Sequence, residues 1–220
     1  PSVEGAHLLI DEAMTNITFE YDTGQSSSNL FIANPTWTAS TVDTGVQLAE
    51  TTYVADVDGD GDLDIVSASG GDDTIAWYEN DGAANPTWTA SDITTSADGA
   101  ASVYVADMDG DGDLDIVSAS TNDDTVAWYE NDGAANPSWT ATDISTTEDA
   151  VQWVVPADMD SDGDLDIVTS SLFPGNSIAW YENDGSADPS WTRSNIATVS
   201  DSEQVFVEDM DGDGDLDIVG

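Results

Sequence analysis

Basic side chains are almost missing from this chain: Lys does not occur, Arg occurs once as Arg193, and a single histidine, His7, faces 46 acidic residues. A nucleic-acid backbone or an anionic membrane surface is held by cationic side chains, so neither is an expected partner. Cysteine is absent, which removes disulfides and thiol chemistry and leaves secretion undecided. No run of about 18 apolar residues occurs, so no membrane-spanning helix is expected. The sequence starts at Pro1, and Leu8 to Ile10 is too short for a signal-peptide core, so the chain reads as a mature or excised segment. It contains no G-x-S-x-G, H-E-x-x-H, phosphate-binding glycine loop or Cys nucleophile, and enzymatic activity is not expected. Glu79, Glu130 and Glu182 recur with the repeat described below, whereas a catalytic carboxylate pair is asymmetric and unique.

What is abundant is acid. A net charge of −45 opposes compaction by self-repulsion, and bound divalent cations or high salt are the two ways to relieve it. Eight Trp and a strict internal repeat argue against disorder as the alternative. Twenty of the acids fall in four short loops, so the remaining surface acidity reads as that of a protein from a saline setting.

The repeat has a period of 51 residues. DVDGDGDLDIVSAS starts at Asp56, DMDGDGDLDIVSAS at Asp107, DMDSDGDLDIVTSS at Asp158 and DMDGDGDLDIVG at Asp209. AWYENDG follows from Ala76, Ala127 and Ala179, and Pro-x-Trp-Thr places Trp37, Trp88, Trp139 and Trp191. Each unit alternates as strands do: Ser102 to Ala106, Leu114 to Ala119, Thr125 to Glu130 with Val126 and Trp128 on one face, and Trp139 to Ile144. Four short strands in a unit of this length predict an all-β fold, a β-propeller of four-stranded antiparallel blades. Residues 1–49 read as a degenerate partial blade, with His7 to Glu12 and Ile17 to Tyr21 as its strands and Gly24 to Asn29 as an insertion. Residues 50–220 read as tandem blades of which the last is incomplete, so the chain is expected to be part of a larger array.

Each loop places Asp at positions 1, 3, 5, 7 and 9: Asp56, Asp58, Asp60, Asp62 and Asp64; Asp107, Asp109, Asp111, Asp113 and Asp115; Asp158, Asp160, Asp162, Asp164 and Asp166; Asp209, Asp211, Asp213, Asp215 and Asp217. Carboxylates at positions 1, 3 and 5 converge when the backbone curls, and Gly at position 6 permits the curl. A hard cation with six to eight oxygen ligands suits the set, and Ca²⁺ is the expected cofactor, about one per loop. Position 7 is expected to offer its backbone carbonyl and position 9 the last side chain. A helix-loop-helix site is excluded, because position 12 is Ser67, Ser118, Thr169 or Gly220 instead of Glu and the flanks are strands. Ser161 at position 4 is expected to be tolerated, since position 6 alone is taken to carry the tight turn.

With these residues in view, the unit resembles the FG-GAP or VCBS type repeat, the blade of integrin α-subunit propellers and of many secreted microbial proteins. The resemblance implies loops that join the first two strands of each blade and an extracellular or cell-surface location. It implies a structural or adhesive scaffold as the function. A glycan-binding propeller lectin, or the noncatalytic part of a secreted polysaccharide-degrading enzyme, are the alternatives. Partners are then calcium ions, with glycans, other copies of the chain or cell-surface proteins behind them. Recurrent Trp77, Trp128 and Trp180 are expected to pack between blades. Trp153 has no counterpart in the other copies, Arg193 is expected to pair with a nearby carboxylate, and Asn16-Ile17-Thr18 is a glycosylation sequon.

Overall fold

The computed structural model describes residues 40–200 and 202–220, together with the backbone of three short strands before them. Two compact units result, Pro1–Thr41 and Val42–Gly220. In the first, β1 (His7–Ile10), β2 (Ile17–Glu20) and β3 (Leu30–Phe31) form an antiparallel sheet in that order. The sequon residue Asn16, Trp37 and the Gly24 to Asn29 insertion lie outside the described residues.

The second unit repeats one sheet. Its first blade is β4 (Ala49–Ala55), β5 (Asp64–Ser69), β6 (Thr74–Asn80) and β7 (Trp88–Thr94), paired antiparallel in chain order. The second is β8 (Ala100–Ala106), β9 (Asp115–Ser120), β10 (Thr125–Asn131) and β11 (Trp139–Ser145). The third is β12 (Val151–Ala157), β13 (Asp166–Ser171), β14 (Ser177–Asn183) and β15 (Trp191–Thr198). A two-stranded sheet of β16 (Phe206–Glu208) and β17 (Asp217–Val219) ends the chain. The described residues contain no helix. The first strands β4, β8 and β12 pack beside one another, as the inner strands of a propeller do.

Strand alternation explains why every blade has two apolar faces. Along β10, Val126 and Trp128 point toward the third blade and join Met108, Val117, Val154, Ile167 and Tyr181. The intervening Ala127 and Tyr129 point back to the first blade and join Val66, Ile75, Trp77, Val103 and Ile116. Each interface therefore sets the Trp of one AWYEN strand in the same cluster as the Tyr of the next: Trp77 with Tyr129, Trp128 with Tyr181. Trp77 and Trp128 are fully buried, whereas Trp180 is half-buried, because the last sheet within this chain supplies no further AWYEN strand. Trp139 and Trp191, at the start of their fourth strands, are partly buried against these same clusters. The expectation of packing is thus met at two of the three AWYEN positions. On the inner strands, Tyr53 and Tyr104 meet across blades with ring centroids 4.4 Å apart.

A bulge recurs near the start of each first strand. Glu50, Ala101 and Gln152 are skipped in the pairing of β4 with β5, β8 with β9 and β12 with β13. A residue left unpaired in this way has its side chain re-aimed out of the ladder. Here the three skipped residues line one inner cavity together with Trp153, Glu203 and Gln204.

Candidate metal centres in the strand-connecting loops

Each acidic loop joins the first strand of its blade to the second, β4 to β5, β8 to β9, β12 to β13 and β16 to β17. Two features curl it. Position 1 accepts the amide of position 6: Asp56 from Gly61 at 3.1 Å, Asp107 from Gly112 at 3.0 Å, Asp158 from Gly163 and Asp209 from Gly214 at 3.1 Å. Position 6 itself lies at φ between 98° and 103° in all four copies, where no side chain is comfortable. Position 4 also has positive φ, which corrects the expectation that position 6 alone carries the turn. Gly59, Gly110 and Gly212 lie at 73° to 77° and Ser161 at 63°, inside the narrow left-handed well that a non-glycine residue reaches at modest cost. Ser161 is tolerated for that reason, not because its position is ordinary.

Position 9 anchors the loop to the blade. Asp64, Asp115 and Asp166 are each 1% exposed. One carboxylate oxygen accepts the position 2 amide, from Val57 at 3.2 Å, Met108 at 3.1 Å or Met159 at 3.0 Å. The other accepts the amide of the Asn that ends the AWYEN strand, Asn80 at 2.8 Å, Asn131 at 2.9 Å or Asn183 at 2.8 Å. Trp77 Nε1 adds a third bond to Asp64 at 3.0 Å. Burial pushes the Asp115 carboxyl up to about 7 and raises that of Asp166, despite the backbone amides that oppose the shift.

The same asparagines tie loop to loop. Asn131 Nδ2 donates to Leu114 O in its own loop at 3.0 Å and to Val57 O in the preceding one at 3.2 Å. Asn183 does likewise with Leu165 O and Met108 O, both at 3.0 Å.

Carboxylate oxygens of Asp56, Asp58 and Asp60 lie within 4.8 Å of one another, as do those of Asp107, Asp109 and Asp115, of Asp158, Asp160 and Asp162, and of Asp209, Asp211 and Asp217. Positions 1 and 3 converge in every loop, joined by position 5 in two and by position 9 in two. Asp111 and Asp213 at position 5, and Asp64 and Asp166 at position 9, stand outside their clusters. The position 7 carboxylates, Asp62, Asp113, Asp164 and Asp215, join none of them. Those of Asp62, Asp113 and Asp164 lean against Gly82, Gly133 and Gly185, leaving no space there for a Cβ.

The donor set fits a hard cation. Ligands on opposite sides of a Ca²⁺ at about 2.3–2.6 Å are roughly 5 Å apart, so oxygens within 4.8 Å of one another can share one ion. Asp56 Oδ1 is buried and has no hydrogen-bond partner among the described residues, an orphan acceptor on a member of the cluster. Burial first, and like charges nearby after it, raise the Asp58 and Asp109 carboxyls.

One buried acid escaped the sequence reading. Glu148, 2% exposed, accepts from Arg193 Nε at 2.6 Å and Nη2 at 2.9 Å, from Tyr181 Oη at 2.6 Å, and from the hydroxyls of Ser177 at 2.7 Å and Ser171 at 3.2 Å. Burial pushes this carboxyl up, but the donors outweigh it and hold it below the usual range. Arg193 therefore pairs with a carboxylate 45 residues away instead of a neighbour in sequence. The signal was in the repeat: Glu148 stands in a column otherwise occupied by Val46, Ala97 and Val199.

The FG-GAP-like repeat pattern matches residues 56–118 and again 107–169. Comparison with curated protein sequences finds no match. Among solved structures, a lectin from Agrocybe aegerita described for specific recognition of non-reducing terminal N-acetylglucosamine superposes with a TM-score of 0.55 at 19% identity. The match takes in 93% of this chain and 54% of the lectin, so the chain spans about half the lectin's length.

The two glycine positions make a measurable contrast. Gly110→Ser should cost about 1 kcal/mol, the price of the left-handed well, whereas Gly112→Ser should cost about 3 kcal/mol through a conformation no L-residue favours. Urea unfolding of both variants in calcium buffer checks the order, and equal losses would contradict it.

Proposed function

This chain belongs to the FG-GAP-like repeat family, and on that basis we propose that it is a calcium-binding propeller module serving as a structural or adhesive scaffold outside the cell. The observation that carries the proposal is the recurrence of a carboxylate cluster at the same strand connection in four copies, with an orphan buried oxygen at Asp56. Bound calcium would supply positive charge to carboxylates that otherwise repel one another. Positions 1, 3, 5 and 9 are the side chains proposed to hold it, with the carbonyl of position 7. Sites of the extracellular kind, with Kd on the order of 10⁻⁴–10⁻³ M, fill in a calcium-rich saline medium and empty in a cytosol. No catalytic part is assigned to any residue.

Rigidity is what such a site contributes to a scaffold. Asn131 and Asn183 connect successive loops, so ordering one loop restrains the next. A chain of restrained blades suits a surface, matrix or filament role better than a flexible one.

Glycan binding is the second reading, favoured by one cavity. Trp153, present in one copy only, lines the inner cavity of about 310 Å³ with Gln152, Gln204, Glu50 and Glu203. An indole beside amide and carboxylate side chains suits a sugar ring, whose apolar face stacks and whose hydroxyls donate and accept. The lectin neighbour agrees in fold with this reading.

Two measurements separate these ideas. For calcium, chelation with EGTA at low ionic strength should lower the melting temperature sharply, since each site contributes about 2.7 kcal/mol at a hundredfold excess of metal over Kd. Monovalent salt should restore only the screening part, and an unchanged melting curve would end the calcium proposal. For glycans, an array should show binding by the wild-type chain that Trp153→Ala abolishes, and a blank array would remove the second reading.

A further inference from the structure

The second and third blades are built alike at the end of the strands remote from the acidic loops, yet the recess there is filled in one and open in the other. In the third blade Glu148 and Arg193 fill it, tied to Tyr181, Ser171 and Ser177 as described above. The corresponding residues of the second blade are Ala97 and Ala141, and the space they leave is a recess of about 200 Å³. The rest of the wall is retained, with Tyr129 for Tyr181, Ser120 for Ser171 and Thr125 for Ser177. Two acids of this wall, Asp123 and Asp143, repeat Asp72 and Asp92 of the first blade and are lost in the third. They line the open recess where the third blade has Gly175 and Asn195.

Two of its polar groups are incompletely partnered. Asp123 Oδ1 is buried and has no hydrogen-bond partner among the described residues. Tyr129 is 5% exposed, and among the described residues its hydroxyl has one hydrogen-bond partner, Ser118 Oγ at 3.5 Å, from which it accepts. At the same place in the third blade the Tyr181 hydroxyl donates to Glu148 at 2.6 Å. A buried acceptor without a donor costs folding free energy unless a ligand satisfies it.

We infer that this recess receives a guanidinium or primary ammonium group carried on an alkyl stem. It holds two carboxylates and no base, so an anion is repelled and a cation is drawn in. The third blade shows that the surrounding framework accommodates a guanidinium, since Arg193 occupies the equivalent position. Arg193 is also the only Lys or Arg among these 220 residues, and it is already paired with Glu148, so no Lys or Arg among them is available to the second blade. The methyl groups of Ala97, Ala127 and Ala141 offer the stem an apolar floor, and the acids Asp123 and Asp143 take the head group. The acidic loops lie at the other end of the strands, so this inference stands apart from the calcium proposal.

The test is an amide-resolved NMR titration of the intact chain, at fixed calcium and ionic strength, with ethylguanidinium and with an end-capped Gly-Arg-Gly peptide. Saturable shifts are expected at Ala97, Asp123, Tyr129 and Asp143. They should weaken about tenfold or more in the double variant Ala97→Glu, Ala141→Arg, which rebuilds the pair of the third blade. Asp143→Asn changes only an exposed rim residue to the third blade's Asn, and should weaken binding several-fold while leaving the melting temperature unchanged. Tighter binding of the peptide than of ethylguanidinium would assign the cation to a partner protein, and equal affinities would assign it to a free organic cation. The inference is overturned if shifts spread unsaturated over the whole acidic surface, or if both variants bind as the wild type does. It is also overturned if calcium displaces the cation from this recess, or if only a neutral sugar such as N-acetylglucosamine moves these amides.

Discussion

Mutual repulsion of five carboxylates within nine residues is the constraint on which this molecule turns. Left uncompensated, it would open the hairpin between the first two strands of each blade, and those strands form the inner wall where successive blades meet. The chain contains the repulsion first by geometry. Position 1 holds the position 6 amide, and in the first three loops position 9 is buried and fixed both to its own loop and to the AWYEN strand, while position 7 is directed away against a glycine of the following turn. What remains is a convergent set of three side chains in each loop, the form a cation would neutralise.

The loops are also keyed to the interfaces. Position 9 meets the Asn of AWYEN, whose side chain reaches the loop of the preceding blade, while the Trp and Tyr of that strand fill the cores on either side. Carboxylate convergence, loop conformation and packing between blades are thus parts of one cooperative unit. Charge neutralisation at one loop should be felt by its neighbours, as in repeat proteins whose stability resides in nearest-neighbour contacts.

Much of this was legible in the sequence because the repeat fixes it four times over. The strand pairs, the loop position and the shared face of Val126 and Trp128 follow from alternation and spacing, and the blades confirm them. The misses have physical causes. The left-handed position 4 is hidden because three copies are glycine, which fits almost any conformation, and only Ser161 reports it. Glu148 was missed because its partners are brought together by strand pairing across a distance no local pattern spans. The half-exposure of Trp180 depends on the strand that would cover it, not on its own sequence context. For Ser161 and Glu148 the informative signal was a departure from the repeat, and Trp153 is another such departure, whereas the recess of the second blade keeps the repeat's residues and shows itself only by contrast with the third blade.

The most direct measurement is a crystal structure of the chain grown in calcium, with the anomalous signal used to locate ions. The account predicts one ion in each acidic loop, with oxygen ligands at about 2.3–2.6 Å drawn from positions 1, 3, 5 and 9 and the position 7 carbonyl. Loops without an ion in such a crystal, or octahedral sites at about 2.0–2.1 Å that retain most of their waters, would contradict it.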